Sequence, residues 1–181
     1  MEAKDYRLEK DSLGEKLVPK DALYGIQTQR SMENFFITGM RTHPMMIRSL
    51  GMVKKACALA NYQTNHLDKE RLDYILQACD EVIAGKLNEY FMTDVIQGGA
   101  GTSVNMNANE VIANRAAQLA GHELGKYDYI HPNDHINFGQ STNDVFPTAG
   151  KITCLFLVDE LLNELQLLQE ALLDKSLEIG R

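Results

Sequence analysis

The feature that most constrains this chain is its last thirty-odd residues. From Pro147 to Leu177 there is no proline or glycine except Gly150 and the opening Pro147 itself. The apolar residues Ile152, Leu155, Phe156, Val158, Leu161, Leu162, Leu165, Leu168, Ala171 and Leu172 recur throughout it. Such a run predicts one helix of roughly 45 Å, at about 1.5 Å of rise per residue. Its apolar face is wider than a surface helix of a globular domain requires. The rest of the sequence supplies too few long helices to cover it. Two outcomes are implied: the helix packs in a multichain bundle, and sequence that would help cover it lies outside this stretch. The longest unbroken apolar run nearby, 154–158, is far too short to span a bilayer.

Other helices are legible upstream. Residues 46–61 place Ile47, Leu50, Val53 and Cys57 at three- and four-residue steps. In the next segment Asp68 suits an N-cap, with Leu67 and Leu72 positioned to staple across it. Leu72, Ile75, Leu76, Cys79, Val82 and Ile83 form one face, and Gly85 is a plausible stop. A further helix opens near Thr102 and ends by Gly121. The first forty residues read as irregular, punctuated by Gly14, Pro19, Gly25 and Gly39, with a short strand over 4–9. The fold class expected is mainly α.

Three stretches carry chemistry. In Gln97-Gly98-Gly99-Ala100-Gly101-Thr102-Ser103, three glycines precede a helix start. They let backbone amides approach a ligand, and the helix N-terminus adds free N–H groups and partial positive charge. A phosphate-binding P-loop needs a Gly-Lys pair, and a dinucleotide fingerprint needs a third spaced glycine after a buried strand; neither occurs. Two readings remain, a site for a small anion such as a carboxylate, or a plain turn capped by Thr102 or Ser103. Asn105, Asn107 and Asn109 come next, and asparagine is a poor helix former. Their amides serve either to orient neighbouring loops or to face a site.

The second stretch is His131-Pro132-Asn133-Asp134-His135. Its histidine spacing is open to a metal reading, but Pro132 makes it a loop or first turn, and a polar loop with satisfied side chains is the plainer reading. The third is Gln140-Ser141-Thr142-Asn143-Asp144, where hydroxyls and an amide again crowd a helix start. Ser141 lacks the Gly-x-Ser-x-Gly elbow of a nucleophile and reads as a donor. Two donor-rich helix starts suit a ligand with two carboxylates.

Composition excludes several classes. With 44% hydrophobic and 24% charged residues the chain is globular. A net charge of -7 argues against nucleic acid as a partner. The charged N-terminus, MEAKDYRLEKD, is no signal peptide. Cys57, Cys79 and Cys154 sit in apolar contexts without metal-binding spacing, and are expected to be buried thiols of a cytoplasmic protein.

Together these residues resemble the aspartase/fumarase superfamily. The similarity begins at Tyr6-Arg7-Leu8-Glu9 and Tyr24-Gly25-Ile26-Gln27-Thr28, passes through Arg30, Asn34 and Phe35, and runs to Gly180-Arg181. GGAGTSVNMNANEVIANRA, HPNDHIN and QSTNDVFPTA are its most specific motifs. Fumarases typically carry serine at the position of Ala100, Gln-Thr at Ser103-Val104, and Ser-Ser-Asn-Asp where this chain has Ser141-Thr142-Asn143-Asp144. Those positions resemble aspartases instead, while His131 does not discriminate. The resemblance implies an N-terminal lyase domain over 1–141 and the first helix of a central helical bundle over 142–181. It also implies homotetramers whose sites are shared between three subunits, and no organic cofactor. Thr102, Ser141, Thr142 and Asn143 would bind the carboxylates and amino group of a small dicarboxylate. His131, Asn133 and Asp134 match a secondary anion site. The implied reaction is reversible anti-elimination of ammonia from aspartate through an aci-carboxylate, with hydration of fumarate as the alternative. The family's base is a serine on a glycine/serine-rich loop far downstream. That loop is not in these 181 residues, so the chain is expected to be a truncated N-terminal portion, inactive alone. As given, a non-catalytic dicarboxylate-binding or oligomerisation module is the reading from a different class.

Overall fold

The computed structural model describes residues 5–180. The chain opens with an antiparallel hairpin, β1 (Tyr6–Asp11) and β2 (Gly14–Pro19), in which Asp11 pairs with Gly14 across a tight turn. The strand expected over 4–9 is thus shifted toward the turn; Lys4 lies outside the described residues. Arg7 fixes the segment beyond the hairpin. Its guanidinium donates to the carbonyls of Pro19, Lys20, Ala22 and Tyr24 and to Glu9. One side chain thereby satisfies the last carbonyl of β2 and three carbonyls of the segment beyond it, which has no sheet partner.

The first forty residues are not irregular. Besides the hairpin they hold helix α1 (Ile26–Asn34), whose hydrophobic pattern is weak because its buried positions include Thr28 and Ser31. Helix α2 (Pro44–Gln63) comes next, with Pro44 at its first position, where a missing N–H costs nothing. Helix α3 (Lys69–Ile83) starts as expected. The Asp68 carboxylate accepts from the Arg71 N–H, and Gly85 turns the chain out at φ +76°. The 88–90 turn then leads to helix α4 (Thr102–Leu119), where 12 residues are buried. A single π-helical turn (Pro132–Ile136) precedes helix α5 (Thr142–Ile179), 38 residues long.

The core gathers Leu50, Ile75, Val82, Phe91, Val104, Val111 and Ile112 from α2, α3, α4 and the loop before α4. On α2 the buried face shares Ile47 and Leu50 with the one expected but is rotated from it farther along. Ile47, Leu50, Lys54 and Ala58 point inward, while Val53 and Cys57 are only half-buried. A lysine on the inner face hid the register. α5 begins at Thr142, five residues before the proline-limited segment, and buries only Val145, Ala149 and Thr153. From residue 158 on it leaves the domain, with Leu161, Leu165, Leu168, Leu172 and Leu177 exposed. Cys154 falls just before this uncovered stretch and is exposed, contrary to expectation, and Cys57 is half-buried; Cys79 alone is fully enclosed. No helix among the described residues is long and apolar enough to cross a membrane.

Candidate active site

The 98–101 loop is built on left-handed backbone. Gly99, Ala100 and Gly101 have φ of +75°, +50° and +93° in succession. Ala100 is the strained member, since a Cβ in this region costs about 1–2 kcal/mol. Gly101 has a second constraint: a Cβ there would meet the Phe146 ring at 2.4 Å. The loop is therefore pressed against the first turns of α5.

Neither Thr102 nor Ser103 caps α4. The N-cap is Gly101, without a side-chain bond, and the Gln97 side chain accepts from the Val104 N–H at 2.8 Å instead. Thr102 is exposed, and its hydroxyl donates to the Gly99 carbonyl at 2.5 Å.

At α5, Ser141 is the N-cap, its Oγ accepting from the Asn143 N–H at 3.2 Å. Thr142 Oγ1 accepts from Asn105 Nδ2 at 3.1 Å. Both hydroxyls keep a proton to donate. Pro147 lies inside the helix. It has no N–H, so the Asn143 carbonyl loses its helical donor.

The two helix starts share one cavity. Val95, Gln97, Ala100, Gly101, Asn143, Phe146 and Pro147 line a cavity of about 410 Å³ that is open to solvent. Asn143 is the one expected binding residue on its wall. Thr102 and Thr142 are the sequence neighbours of wall residues, and Ser141 lies two residues from Asn143. Asp94 fixes the loop before this cavity. Burial would push its carboxyl up, but N–H donors from Ile96, Thr38 and Gly39 and the Thr38 hydroxyl outweigh this and hold it well below the usual range.

His131 and Asn133 line a different cavity, of about 260 Å³, together with Lys10, Asp11, Glu110 and Tyr127. Asp134 is exposed and is not among the residues that line it. His131 caps the π turn, its Nδ1 accepting from the N–H groups of Asn133 and Asp134 at 3.2 Å each. His135 Nδ1 accepts from the His131 N–H at 2.8 Å. Both histidines thus serve the local backbone. Among the described residues there is no group of three or more His, Cys, Asp or Glu placed to hold a metal.

The asparagines divide their work. Asn107 bridges the Tyr90 carbonyl and the Met92 N–H, holding the chain before α4. Asn105 reaches toward α5, to Asn137 Oδ1 and Thr142 Oγ1. Asn109 Nδ2 lies 3.5 Å from the Met106 sulfur. Sequence reasoning missed Glu110, which is 1% exposed. Its carboxylate accepts from the N–H groups of Gly25, Gln27 and Thr28 and from the Thr28 hydroxyl, and so caps α1 from within the domain. Burial pushes it up to about 7 despite these donors. The roles of Gln97, which accepts from the Val104 N–H, and of Phe146 were missed as well; the glycines at 99 and 101 were the available signal that something packs closely there.

A lyase family profile matches residues 14–180, and the chain belongs to that family, the aspartase/fumarase superfamily. Its similarity to individual members is extensive. An aspartate ammonia-lyase from a Bacillus species is 58% identical over 176 residues, 97% of this chain and 38% of that protein. A class II fumarate hydratase from Halobacterium salinarum is 54% identical over 164 residues, 91% of this chain and 34% of that protein. The crystal structure of a fumarate lyase:delta crystallin from Brucella melitensis matches with a TM-score of 0.82 at 52% identity, covering 84% of this chain and 36% of that one. The chain thus spans little over a third of the length of these relatives.

Proposed function

We propose that this chain is the N-terminal portion of an aspartate ammonia-lyase, which converts L-aspartate reversibly to fumarate and ammonia. The observation that carries the reading is the cavity between the 98–101 loop and the start of α5. The caps of two helices adjoin there, and the exposed Asn143 side-chain amide makes no hydrogen bond to another described residue. The partial positive charge of a helix start, with a side-chain amide beside it, favours a carboxylate. The similarity to aspartate ammonia-lyases over nearly the whole chain supports the choice of substrate.

In this reading Thr102, Ser141, Thr142 and Asn143 bind the two carboxylates and the amino group. A base from elsewhere in the full-length protein removes a proton from the carbon beside one carboxylate. The electron pair moves into that carboxylate, giving an aci-carboxylate dianion. Donors aimed at this developing charge stabilise it more than the ground state. The pair then returns to form the carbon–carbon double bond as the carbon–nitrogen bond breaks and the amine leaves. The His131, Asn133 and Asp134 turn is a secondary anion site in this account, with Lys10 and the Asn133 amide as its donors. The domain boundary falls at 141/142, where α5 starts. The exposed leucines of α5 pack against copies of the chain in a homotetramer, completing each site from several subunits. The free thiols Cys57, Cys79 and Cys154 suit a reducing cytoplasm.

A second reading, fumarate hydratase, is favoured by the Halobacterium relative. The test is to offer the full-length enzyme aspartate and malate side by side and follow fumarate absorbance. Turnover of aspartate with little from malate is expected. The reverse preference would assign the protein to the hydratases, and no turnover of either would overturn the lyase reading.

A further inference from the structure

Lys54 lies on the inner face of α2 and is 1% exposed. Burying an ammonium is costly unless its protons are taken up. No carboxylate meets it: none of the ion pairs among the described residues includes Lys54. Its Nζ donates instead to Asn137 Oδ1 and Gln140 Oε1, both at 2.9 Å. These acceptors belong to the segment that runs directly into the proposed site. Asn137 Nδ2 donates to the Gln140 carbonyl at 3.2 Å, closing the turn. Asn105 Nδ2, from α4, donates both to Asn137 Oδ1 and to Thr142 Oγ1, at 3.1 Å each. A continuous polar chain therefore runs from Lys54 through Asn137 and Asn105 to Thr142, with Gln140 as a second arm adjoining Ser141.

We infer that Lys54 is a positioning residue for the dicarboxylate site: its ammonium, enclosed behind the 140–143 turn, sets the position of Ser141, Thr142 and Asn143. The inference rests on the proposed assignment of those three residues to substrate. A lysine serving only to fill the core would be replaced there by an apolar side chain at lower cost. Its charge also sits behind the N-terminus of α5, where it adds to the partial positive charge that favours a carboxylate. The titratable groups that face it, Cys57 on its own helix and Cys79 from α3, are thiols pushed up by burial and hence neutral. Burial lowers the ammonium itself to about 7.

The test compares Lys54→Met with Lys55→Met in the full-length enzyme. Lys55, the sequence neighbour, pairs with Asp80 near the surface and is the control. Two readouts are taken, amide hydrogen exchange and the KM for aspartate. In Lys54→Met the amides of residues 141–145 are expected to exchange roughly tenfold faster or more, while those of α3 keep their protection. KM should rise roughly tenfold with a smaller change in kcat, because the ground-state carboxylate contacts are displaced. Lys55→Met should do neither. Unchanged exchange at 141–145, or a uniform loss of protection across α3 as well, would overturn the inference. If Lys54→Met does not fold, Gln140→Ala removes one arm from the half-buried end of the network and should loosen the same amides to a smaller degree; unmoved amides there overturn the inference equally. Failure of the substrate assignment is seen separately, as a wild-type enzyme without aspartate turnover, because the exchange measurement reads the turn independently of catalysis.

Discussion

Helix α4 is buried almost from end to end and carries polar groups inside, whereas the outer part of α5 is exposed and carries leucines outside. Asn105, Asn107, Asn109, Glu110 and Asn114 are each at most 1% exposed, while Leu165, Leu168, Leu172 and Leu173 are about half exposed or more. Each arrangement taken alone would be unfavourable. On α4 most of the polar groups are matched. Asn107 and Asn114 hold the chain segments around them, Glu110 caps α1, and Asn105 reaches Thr142 at the start of α5. On α5, beyond the Arg48 guanidinium over the Phe156 ring, every residue from 158 to 180 is exposed. α4 is buried within the chain itself, whereas the outer part of α5 is left uncovered, and in the reading proposed above copies of the chain cover it.

That contrast can be broken or sharpened by substitution. The largest effect is expected at the mouth of the cavity. In the full-length enzyme, Asn143→Ala should raise the barrier to elimination by roughly 3–4 kcal/mol through loss of a donor to the dianion, and Thr102→Ala should do the same if its hydroxyl turns from the Gly99 carbonyl to the substrate. Because Gly101 and Ser141 are the helix caps, the melting temperature should barely move. Unchanged kcat with a lowered melting temperature would reduce both residues to structural roles, for which about 1 kcal/mol of stability is the usual loss.

Next comes the polar interior itself. Glu110→Gln puts an amide NH2 where a carboxylate oxygen accepts N–H donors, and should cost about 2 kcal/mol of unfolding free energy, read from urea melts at fixed protein concentration. The pH dependence carries a sign. The folded carboxyl is raised from 4.5 to about 7, so between these values the native state holds more proton than the unfolded chain. Glu110 therefore stabilises most at low pH, and its contribution is lost as pH rises through about 7. Glu9, also raised by burial, acts in the same direction. The substitution should flatten the decline without abolishing it; a slope identical to wild type would place the titration elsewhere. The smallest effect belongs to a region outside the contrast. Asp68→Ala removes the cap of α3 and should cost about 1 kcal/mol, with kcat unaltered.

Much of this is legible in the sequence, and the failures have physical causes. The α3 cap, the start of α4 and the uncovered length of α5 come from local chemistry, namely an aspartate before an apolar face, glycines before a helix, and leucines with nothing to cover them. The two donor-rich helix starts read as one site, and they do adjoin one cavity through Gly101 and Asn143. Helix α1 is hidden because its N-terminus is capped by Glu110, which is 85 positions from Gly25 in sequence. No local pattern shows a cap that arrives from another helix. Lys54 hides the inner face of α2 for a related reason. Its spacing from Leu50 and Ala58 is that of a core residue, but its acceptors, Asn137 and Gln140, come from far along the chain. Thr102 reads as either cap or ligand; the cap role belongs to Gln97, whose side chain reaches seven residues forward.

The claim that α5 is completed by other subunits is tested most directly by sedimentation of the 181-residue chain at micromolar concentration, beside a variant carrying Leu165→Glu and Leu172→Glu. Both leucines are exposed, so the charges meet no core. The account predicts that the unmodified chain sediments as an oligomer and the variant as a monomer with its helical content intact. A clean monomer for the unmodified chain would contradict it.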